Sequence, residues 1–143
     1  MSPEPAMDAQ APALPVEGAG SRARILVVED DRVIQTLLRH LLTRRGWDVD
    51  VAGDGRQALR IIETAAPPAL VLLDVMLPFV HGFDLILRIR ETEGWADVPV
   101  IMLTSKAQER HVVRALDAGA NDYVLKPFKP EELAARVRRF IRA

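Results

Sequence analysis

The sequence lacks several features that would place the protein in a particular class. It contains no cysteine, which excludes disulfides and thiolate metal sites and fits a reducing compartment. Its formal net charge is −1, so no overall electrostatic attraction draws the chain to nucleic acid or anionic membranes. No apolar run approaches the roughly 20 residues that span a bilayer, and the N-terminus has neither the basic start nor the apolar stretch of a signal peptide. We therefore expect a soluble cytoplasmic protein that binds no membrane and makes no direct contact with nucleic acid.

The first 23 residues differ in composition from the rest of the chain. They hold four of the ten prolines, and Leu14 and Val16 are their only large aliphatic residues. Such a segment buries too little apolar surface to offset the entropy that it loses on ordering. We predict a disordered tail rich in alanine and proline over residues 1–23. We expect one globular domain over residues 24–143, a normal size for a single domain.

Five short segments after the tail have the composition of β-strands. Residues 25–28, 70–73 and 100–103 are continuous apolar runs, which are typical of strands buried on both faces of a parallel sheet. Residues 47–51 alternate apolar and charged side chains, and residues 122–126 form a short mixed segment. Both of these are interpreted as edge strands.

Helical patterns follow each of these strands, with apolar residues recurring at the spacing of one helix face. The result is a (βα)5 chain, which predicts an α/β doubly wound five-stranded parallel sheet in a single domain. Right-handed crossovers and two edge strands favour the strand order 2-1-3-4-5. Trp47 and Trp95 are interpreted as packing at the edge of the fold. The five helical stripes are Val33, Ile34, Leu37, Leu38, Leu41 and Leu42; Ala58, Leu59, Ile62 and Ala65; Phe83, Ile86, Leu87 and Ile89; Val112, Val113 and Leu116; and Leu133, Val137, Phe140 and Ile141.

Polar residues stand where the strands end. Glu29 and Asp30 follow the first strand, Asp74 the third, Thr104 the fourth and Lys126 the fifth. The carboxyl ends of parallel strands meet at one edge of the sheet, where ligands of such folds bind. Crowded carboxylates repel one another, so we expect a cation among them, and oxygen-only ligands suit Mg²⁺.

Each acidic residue receives a role in this predicted metal site. Asp30 and Asp74 are interpreted as direct carboxylate ligands of Mg²⁺, and Glu29 as the holder of a metal-bound water. The backbone carbonyl of Met76 is interpreted as a third protein ligand.

The remaining groups suit phosphoryl transfer. An ionised Asp74 can attack phosphorus and form an acyl phosphate. The transferred group spreads negative charge over its oxygens, and Lys126 and the Thr104 hydroxyl are suited to meet that charge.

Four segments resemble the signature segments of response-regulator receivers: ILVVEDD, LVLLDVMLP, VIMLTS and GANDYVLKPF. The resemblance covers residues 24–143 and implies the phosphoacceptor receiver domain of a two-component system. It implies that a sensor histidine kinase or a phosphotransfer protein phosphorylates Asp74 in a Mg²⁺-dependent reaction. The resemblance also implies Glu29 and Asp30 as the acidic pair and Lys126 as the phosphate partner.

The same resemblance implies a conformational switch. Thr104 would be its hydroxyl and Tyr123 its aromatic residue. Together they would change the face formed by the fourth helix, fifth strand and fifth helix, where a partner or output domain binds. The resemblance further implies a cis peptide bond between Lys126 and Pro127.

Two other functions remain alternatives. The first is a docking module that works without phosphorylation. The second is a Mg²⁺-dependent phosphohydrolase with an aspartyl nucleophile, similar to haloacid dehalogenases. That family needs an Asp two residues after the nucleophile, whereas Met76 stands there and carries no proton. We therefore expect a signalling domain that assists its own phosphorylation and dephosphorylation, rather than an enzyme. Asp31 is interpreted as a helix cap.

The end of the chain bears on its output. The segment RVRRFIRA resembles receivers that continue into winged-helix transcription factors and pair through charged residues on the face described above. We expect a stand-alone receiver or the receiver part of a longer protein, with a possible homodimer. Cations in the last turns of a helix oppose its dipole favourably, so they do not indicate nucleic-acid binding. Asp122, Glu132, Arg136 and Arg138 fit the pairing pattern, whereas Val112 and Asn121 stand where charges are usual.

Overall fold

The structure is a computed structural model and describes residues 22–105 and 110–141. Most of the predicted tail therefore lies outside the described residues, and its disorder stays a prediction. Within the described residues, no helix has the length and apolar character needed to cross a membrane. The elements, in chain order, are β1 (Arg24–Val28), α1 (Arg32–Thr43), β2 (Asp48–Ala52), α2 (Gly55–Thr64), β3 (Leu70–Asp74), α3 (Gly82–Glu91), β4 (Val100–Ser105), α4 (Val112–Ala118), β5 (Asp122–Lys126) and α5 (Pro130–Phe140).

The five strands form one parallel sheet in the order β2-β1-β3-β4-β5. This confirms the predicted doubly wound fold and its two edge strands. Every residue of the central strand β3 is buried, whereas the edge strand β2 exposes Asp48 and Asp50 on either side of buried Val49. The register sets Asp74 beside Leu103, and Ser105 beside Lys126. The ends of β3, β4 and β5 therefore lie at one edge of the sheet.

Two apolar layers cover the two faces of the sheet, and successive strand residues point into opposite layers. In β3, Val71 and Leu73 belong to the layer that contains α2 and α3, and Leu70 and Leu72 to the layer that contains α1 and α5. The first layer also contains Trp95, which is only 2% exposed.

The interpretation of Trp95 as edge packing is wrong. Its indole N–H donates to the carbonyl of Ala65 at 3.3 Å. That carbonyl belongs to Ala65, an exposed residue just beyond the end of α2, so the one polar atom of the buried ring has a partner at the rim of this layer.

The helical stripes predicted from the sequence are too wide. Val33 is 75% exposed and Leu37 is 47% exposed, so α1 buries only part of its stripe. Leu87 of α3 and Val113 and Leu116 of α4 are also exposed. Helical spacing places all five residues near an apolar face, but the neighbouring elements do not extend far enough to cover them.

One guanidinium joins the end of α3 to two neighbouring connections. Arg90 Nε and Nη2 donate to the carbonyl of Gly119 at 3.1 and 2.7 Å, and Nη2 also donates to Asn121 Oδ1 at 2.8 Å. Arg90 Nη1 donates to the carbonyls of Ala96 and Val98 at 3.0 and 2.7 Å. All of the donors that a guanidinium carries are therefore in use. The C-terminal end of α4 is held against α3 as a result.

Arg90→Met is expected to lower the free energy of unfolding by about 2–4 kcal/mol, because several partly buried oxygens lose their donor. Arg88→Met is the matched control. Arg88 pairs with Glu63 at 2.8 Å, and the two side chains are 44% and 53% exposed, so its loss should cost at most about 1 kcal/mol. Urea unfolding of the three proteins measures both effects. Equal losses in the two variants would contradict the stabilising role of Arg90.

Candidate functional site

A single ammonium group bridges two buried carboxylates at the carboxyl edge of the sheet. Lys126 Nζ lies 3.1 Å from Glu29 Oε1 and 3.2 Å from Asp74 Oδ2. Glu29 is 1% exposed and Asp74 is 4% exposed. The peptide bond between Lys126 and Pro127 is cis, as the family resemblance implied.

A third carboxylate completes an acidic cluster. Glu29, Asp30 and Asp74 each place a carboxylate oxygen within 4.8 Å of the other two. Asp30 is exposed, so the cluster is open to solvent on its side. The negative charge of three carboxylates exceeds the positive charge of the one ammonium, so the cluster favours a further cation. Mg²⁺ suits a set of ligands made only of oxygen. The residues present therefore fit this ion.

The charge imbalance shifts the protonation of the site. Burial raises the pKa of Glu29, and repulsion from Asp74 raises it further, to about 7 from 4.5. Hydrogen bonds from the Asp31 N–H and from Lys126 partly oppose this shift. Burial alone would lower the pKa of Lys126, but attraction to Asp74 and Glu29 outweighs it and raises that pKa. Without metal, Glu29 is thus partly protonated near neutral pH.

The β1–α1 turn fixes the position of Glu29. Asp31 Oδ1 accepts from the N–H groups of Val33 and Ile34 at 2.8 and 3.2 Å, which confirms its predicted role as helix cap. The Asp31 N–H donates to Glu29 Oε2 at 3.1 Å. Gln35 Nε2 donates to the Glu29 carbonyl at 2.5 Å. The sequence analysis missed Gln35, because an amide on a helix gives no signal of the backbone group that it binds.

The connection from β3 to α3 shapes the other side of the site. The Met76 N–H donates to Asp74 Oδ1 at 3.0 Å and thereby orients the carboxylate. The Gly82 N–H donates to the Val75 carbonyl at 3.1 Å and closes the loop. A Cβ at Gly82 would lie only 2.9 Å from Val75 Cα, so this close approach requires glycine. The metal-binding role of the Met76 carbonyl stays a prediction.

The two predicted switch residues lie on neighbouring strands. Thr104 is 2% exposed, and its hydroxyl donates to the Ser105 carbonyl at 3.4 Å. Tyr123 is half-buried and packs against the layer that contains α2 and α3, to which Ala115 of α4 also belongs. Thr104, His111 and Ala115 of α4 line a crevice that is too narrow to hold a water molecule. Thr104 therefore lies between the acidic cluster and α4, and its switching role stays a prediction.

Known protein sequences include many that are similar to this chain. A family model for the response regulator receiver domain matches residues 25–138. The DNA-binding response regulator MtrA of Mycolicibacterium smegmatis is 48% identical over 121 residues, which cover 85% of this chain and 51% of that protein. The alkaline phosphatase synthesis transcriptional regulatory protein PhoP of Bacillus subtilis is 44% identical over 119 residues, which cover 83% of this chain and 48% of that protein. The chain spans about half the length of these curated relatives.

Solved structures show the same fold. The receiver domain of sensor histidine kinase PA1611 from Pseudomonas aeruginosa, with a magnesium ion in its active site cleft, is 36% identical with a TM-score of 0.78. The match covers 86% of this chain and 100% of that chain. The chemotaxis response regulator CheY4 of Vibrio cholerae is 29% identical with a TM-score of 0.78, over 85% of this chain and 100% of that chain.

The raised pKa of Glu29 predicts how the stability of the metal-free protein depends on pH. Its folded pKa of about 7 lies above the unfolded value of 4.5, so the folded state binds more protons between these two values. Proton binding to Glu29 thus stabilises the folded state fully below pH 4.5, and this contribution is lost as the pH rises through 7. Between pH 4.5 and 7, the free energy of unfolding of the wild type in chelator should therefore fall by on the order of 1–3 kcal/mol relative to that of Glu29→Gln.

Urea unfolding of the wild type and Glu29→Gln at a series of pH values measures this difference. The variant also loses hydrogen bonds, but that loss shifts its whole profile by a constant amount. Two parallel profiles would show that Glu29 titrates at its ordinary pKa.

Proposed function

The chain belongs to the response-regulator receiver family of two-component signalling, and from that membership we propose that Asp74 accepts a phosphoryl group from a histidine kinase or a phosphotransfer protein. The observation that carries the proposal is the position of Lys126, whose Nζ lies 3.2 Å from Asp74 Oδ2. An acidic cluster that fits Mg²⁺ adjoins this pair. Positioning and charge neutralisation are the main requirements of phosphoryl transfer, and both are provided here.

The reaction makes one bond and breaks one. A carboxylate oxygen of Asp74 attacks phosphorus, and the bond from phosphorus to the donor's imidazole nitrogen breaks as the new bond forms. The electron pair stays on that nitrogen. Lys126 binds oxygens of the transferred group, and the Met76 N–H keeps the carboxylate oriented. Mg²⁺, held by Asp30, Asp74, the Met76 carbonyl and, through water, Glu29, would neutralise further charge on the transferred group.

Two observations favour this function over the alternatives. The side chain two residues after Asp74 is that of Met76, which carries no proton for a second, hydrolytic step. We therefore infer a signalling domain that assists its own phosphorylation and dephosphorylation. A docking module that works without phosphorylation would have no need for Lys126 between two buried carboxylates, because burying such a group costs free energy.

The proposal includes a switch that runs from Asp74 to the face formed by α4, β5 and α5. The Thr104 hydroxyl would turn to donate to a phosphoryl oxygen, and Tyr123 would move inward. Thr104 shares a narrow crevice with His111 and with Ala115 of α4, so a movement of its hydroxyl would change how β4 packs against α4. Phosphorylation shifts the population only by the difference in free energy between the two arrangements. The changed face would then bind a partner or an output domain.

A homodimer through the same face is a further part of the proposal. Arg136 Nη1 donates to both Asp122 oxygens at 3.0 Å, and its Nη2 donates to Glu132 at 3.1 Å. These charges are therefore paired within one chain and would exchange partners on dimerisation. Asn121 accepts from Arg90 instead of presenting a charge, so this chain offers fewer pairs than the dimer-forming pattern contains.

The phosphodonor protein is proposed to dock on α1. Leu37 and Lys126 line one shallow depression together with Pro127 and Phe128. Val33, one helical turn before Leu37, is 75% exposed. This apolar surface adjoins the site into which the donor's imidazole must reach, so a donor protein that fills the site also covers the surface.

Acetyl phosphate is expected to add one phosphoryl group to the wild type in Mg²⁺ and none in chelator. Asp74→Asn should remain unlabelled under both conditions, because the attacking carboxylate is gone. Intact-mass measurement followed by peptide mapping detects the product. Undiminished labelling of the variant would show that another residue accepts the group.

Val33→Asp is expected to slow transfer from phosphorylated histidine-kinase proteins by about tenfold or more, because it places a charge in the docking surface. Its labelling by acetyl phosphate should not change. Val113→Asp is the matched control, since Val113 is a valine on α4 with 68% exposure. The rate at which radiolabelled phosphoryl groups pass from the donor protein to the wild type and to each variant measures the contribution of this surface to docking. Equal slowing by both variants would contradict docking on α1.

A further inference from the structure

The loop between β3 and α3 carries Met76 and contacts the start of α2. A Cβ placed on Gly55, the first residue of α2, would lie only 2.5 Å from Val80 Cβ and 2.9 Å from the Val80 carbonyl oxygen. The loop therefore approaches α2 more closely than any side chain at this position would allow. The conformation of the loop depends on α2 as well as on its own sequence.

One loop residue has an unfavourable backbone conformation. Phe79 has a φ of 74° and is the one non-glycine residue with positive φ in the described part of the chain. The left-handed region disfavours a residue with a Cβ by roughly tenfold, and glycine or asparagine usually occupies it. The Phe79 side chain is also 66% exposed, so burial does not offset this cost.

A residue in the first turn of α2 supplies the missing stabilisation. The guanidinium carbon of Arg56 lies 3.8 Å from the centroid of the Phe79 ring. A cation–π contact at an exposed site favours the stacked state by roughly two- to fivefold. This factor approaches the backbone penalty, so the stack substantially offsets the strain at Phe79.

We propose that Arg56 is a positioning residue for the metal site. By stacking on Phe79, it holds the β3–α3 loop in the conformation that places Met76 beside Asp74. The Met76 N–H then orients the Asp74 carboxylate at 3.0 Å, and its carbonyl is a proposed ligand. This inference rests on the proposed function, because the binding of Mg²⁺ at Asp74 is part of that proposal.

A purely electrostatic role for Arg56 predicts the opposite sign. A cation near an acidic cluster repels Mg²⁺, so its removal would strengthen metal binding. Removal of a positioning residue weakens binding, because the loop then leaves the ligand conformation. The two roles are therefore distinguished by the direction of the change.

The test compares the Mg²⁺ dissociation constants of five variants with that of the wild type, using amide shifts in an NMR titration. Arg56→Ala and Phe79→Ala lose the stack but keep the backbone penalty, so each constant should rise about two- to fivefold. Phe79→Gly loses the stack and the penalty together and should stay near the wild-type value. The double variant Arg56→Ala/Phe79→Gly should have the same Mg²⁺ dissociation constant as Phe79→Gly alone, because no stack is left to lose. Arg60→Ala, an exposed arginine one turn further along α2, should have no effect.

Acetyl phosphate labelling adds a second readout. At saturating Mg²⁺ the labelling rate of Arg56→Ala should return to the wild-type rate, because the loop is then held by the metal. Unchanged or tighter Mg²⁺ binding in Arg56→Ala overturns the inference and leaves the proposed function intact. The inference is also overturned if Arg56→Ala weakens Mg²⁺ binding as much in the Phe79→Gly background as it does in the wild type. Failure of the wild type to bind Mg²⁺ overturns both the inference and the metal part of the proposed function.

Discussion

The structure depends on an imbalance of charge at the carboxyl edge of the sheet. Glu29, Asp30 and Asp74 converge within 4.8 Å, and Lys126 is the cation that hydrogen-bonds two of them. In water these carboxylates would separate, but β1 and β3 are neighbours and hold their ends together. The free energy of folding thus holds together a cluster of negative charge that attracts a cation. The raised pKa of Glu29 is a direct consequence of this arrangement.

The parts of the chain around the cluster differ in how firmly they are held. The sheet is buried in two apolar layers, whereas α4 contributes one buried residue, Ala115. Arg90 holds the C-terminal end of α4 through Gly119. Nearer its N-terminal end, Arg114 lies over the Phe83 ring, with its guanidinium carbon 4.3 Å from the ring centroid. Because α4 buries so little surface, it is the helix on which the proposed switch at Thr104 would act.

Most of the fold could be predicted from the sequence because burial and periodicity determine it. The continuous apolar run at residues 70–73 requires a strand covered on both faces, and a charged alternation such as that at 47–51 requires an edge. The approximate bounds of the strands followed from these patterns. Periodicity locates the helices but not the width of their buried faces, since Val33 and Leu37 satisfy the apolar period of α1 and yet remain exposed. Trp95 was misplaced because its hydrogen-bond partner, Ala65, lies 30 residues away in the chain.

The sequence by itself determined the order of the elements and the residues that end each strand, because strand direction and side-chain alternation are local properties. It thereby indicated Asp74 and Lys126 as neighbours. Only the tertiary structure decided the contacts between distant segments: the bond from Gln35 to the Glu29 carbonyl, the donors of Arg90, and the stack of Arg56 on Phe79. These contacts depend on side-chain direction and on loop conformation. Both are set by the packing of elements far apart in the chain, which no local pattern of residues specifies.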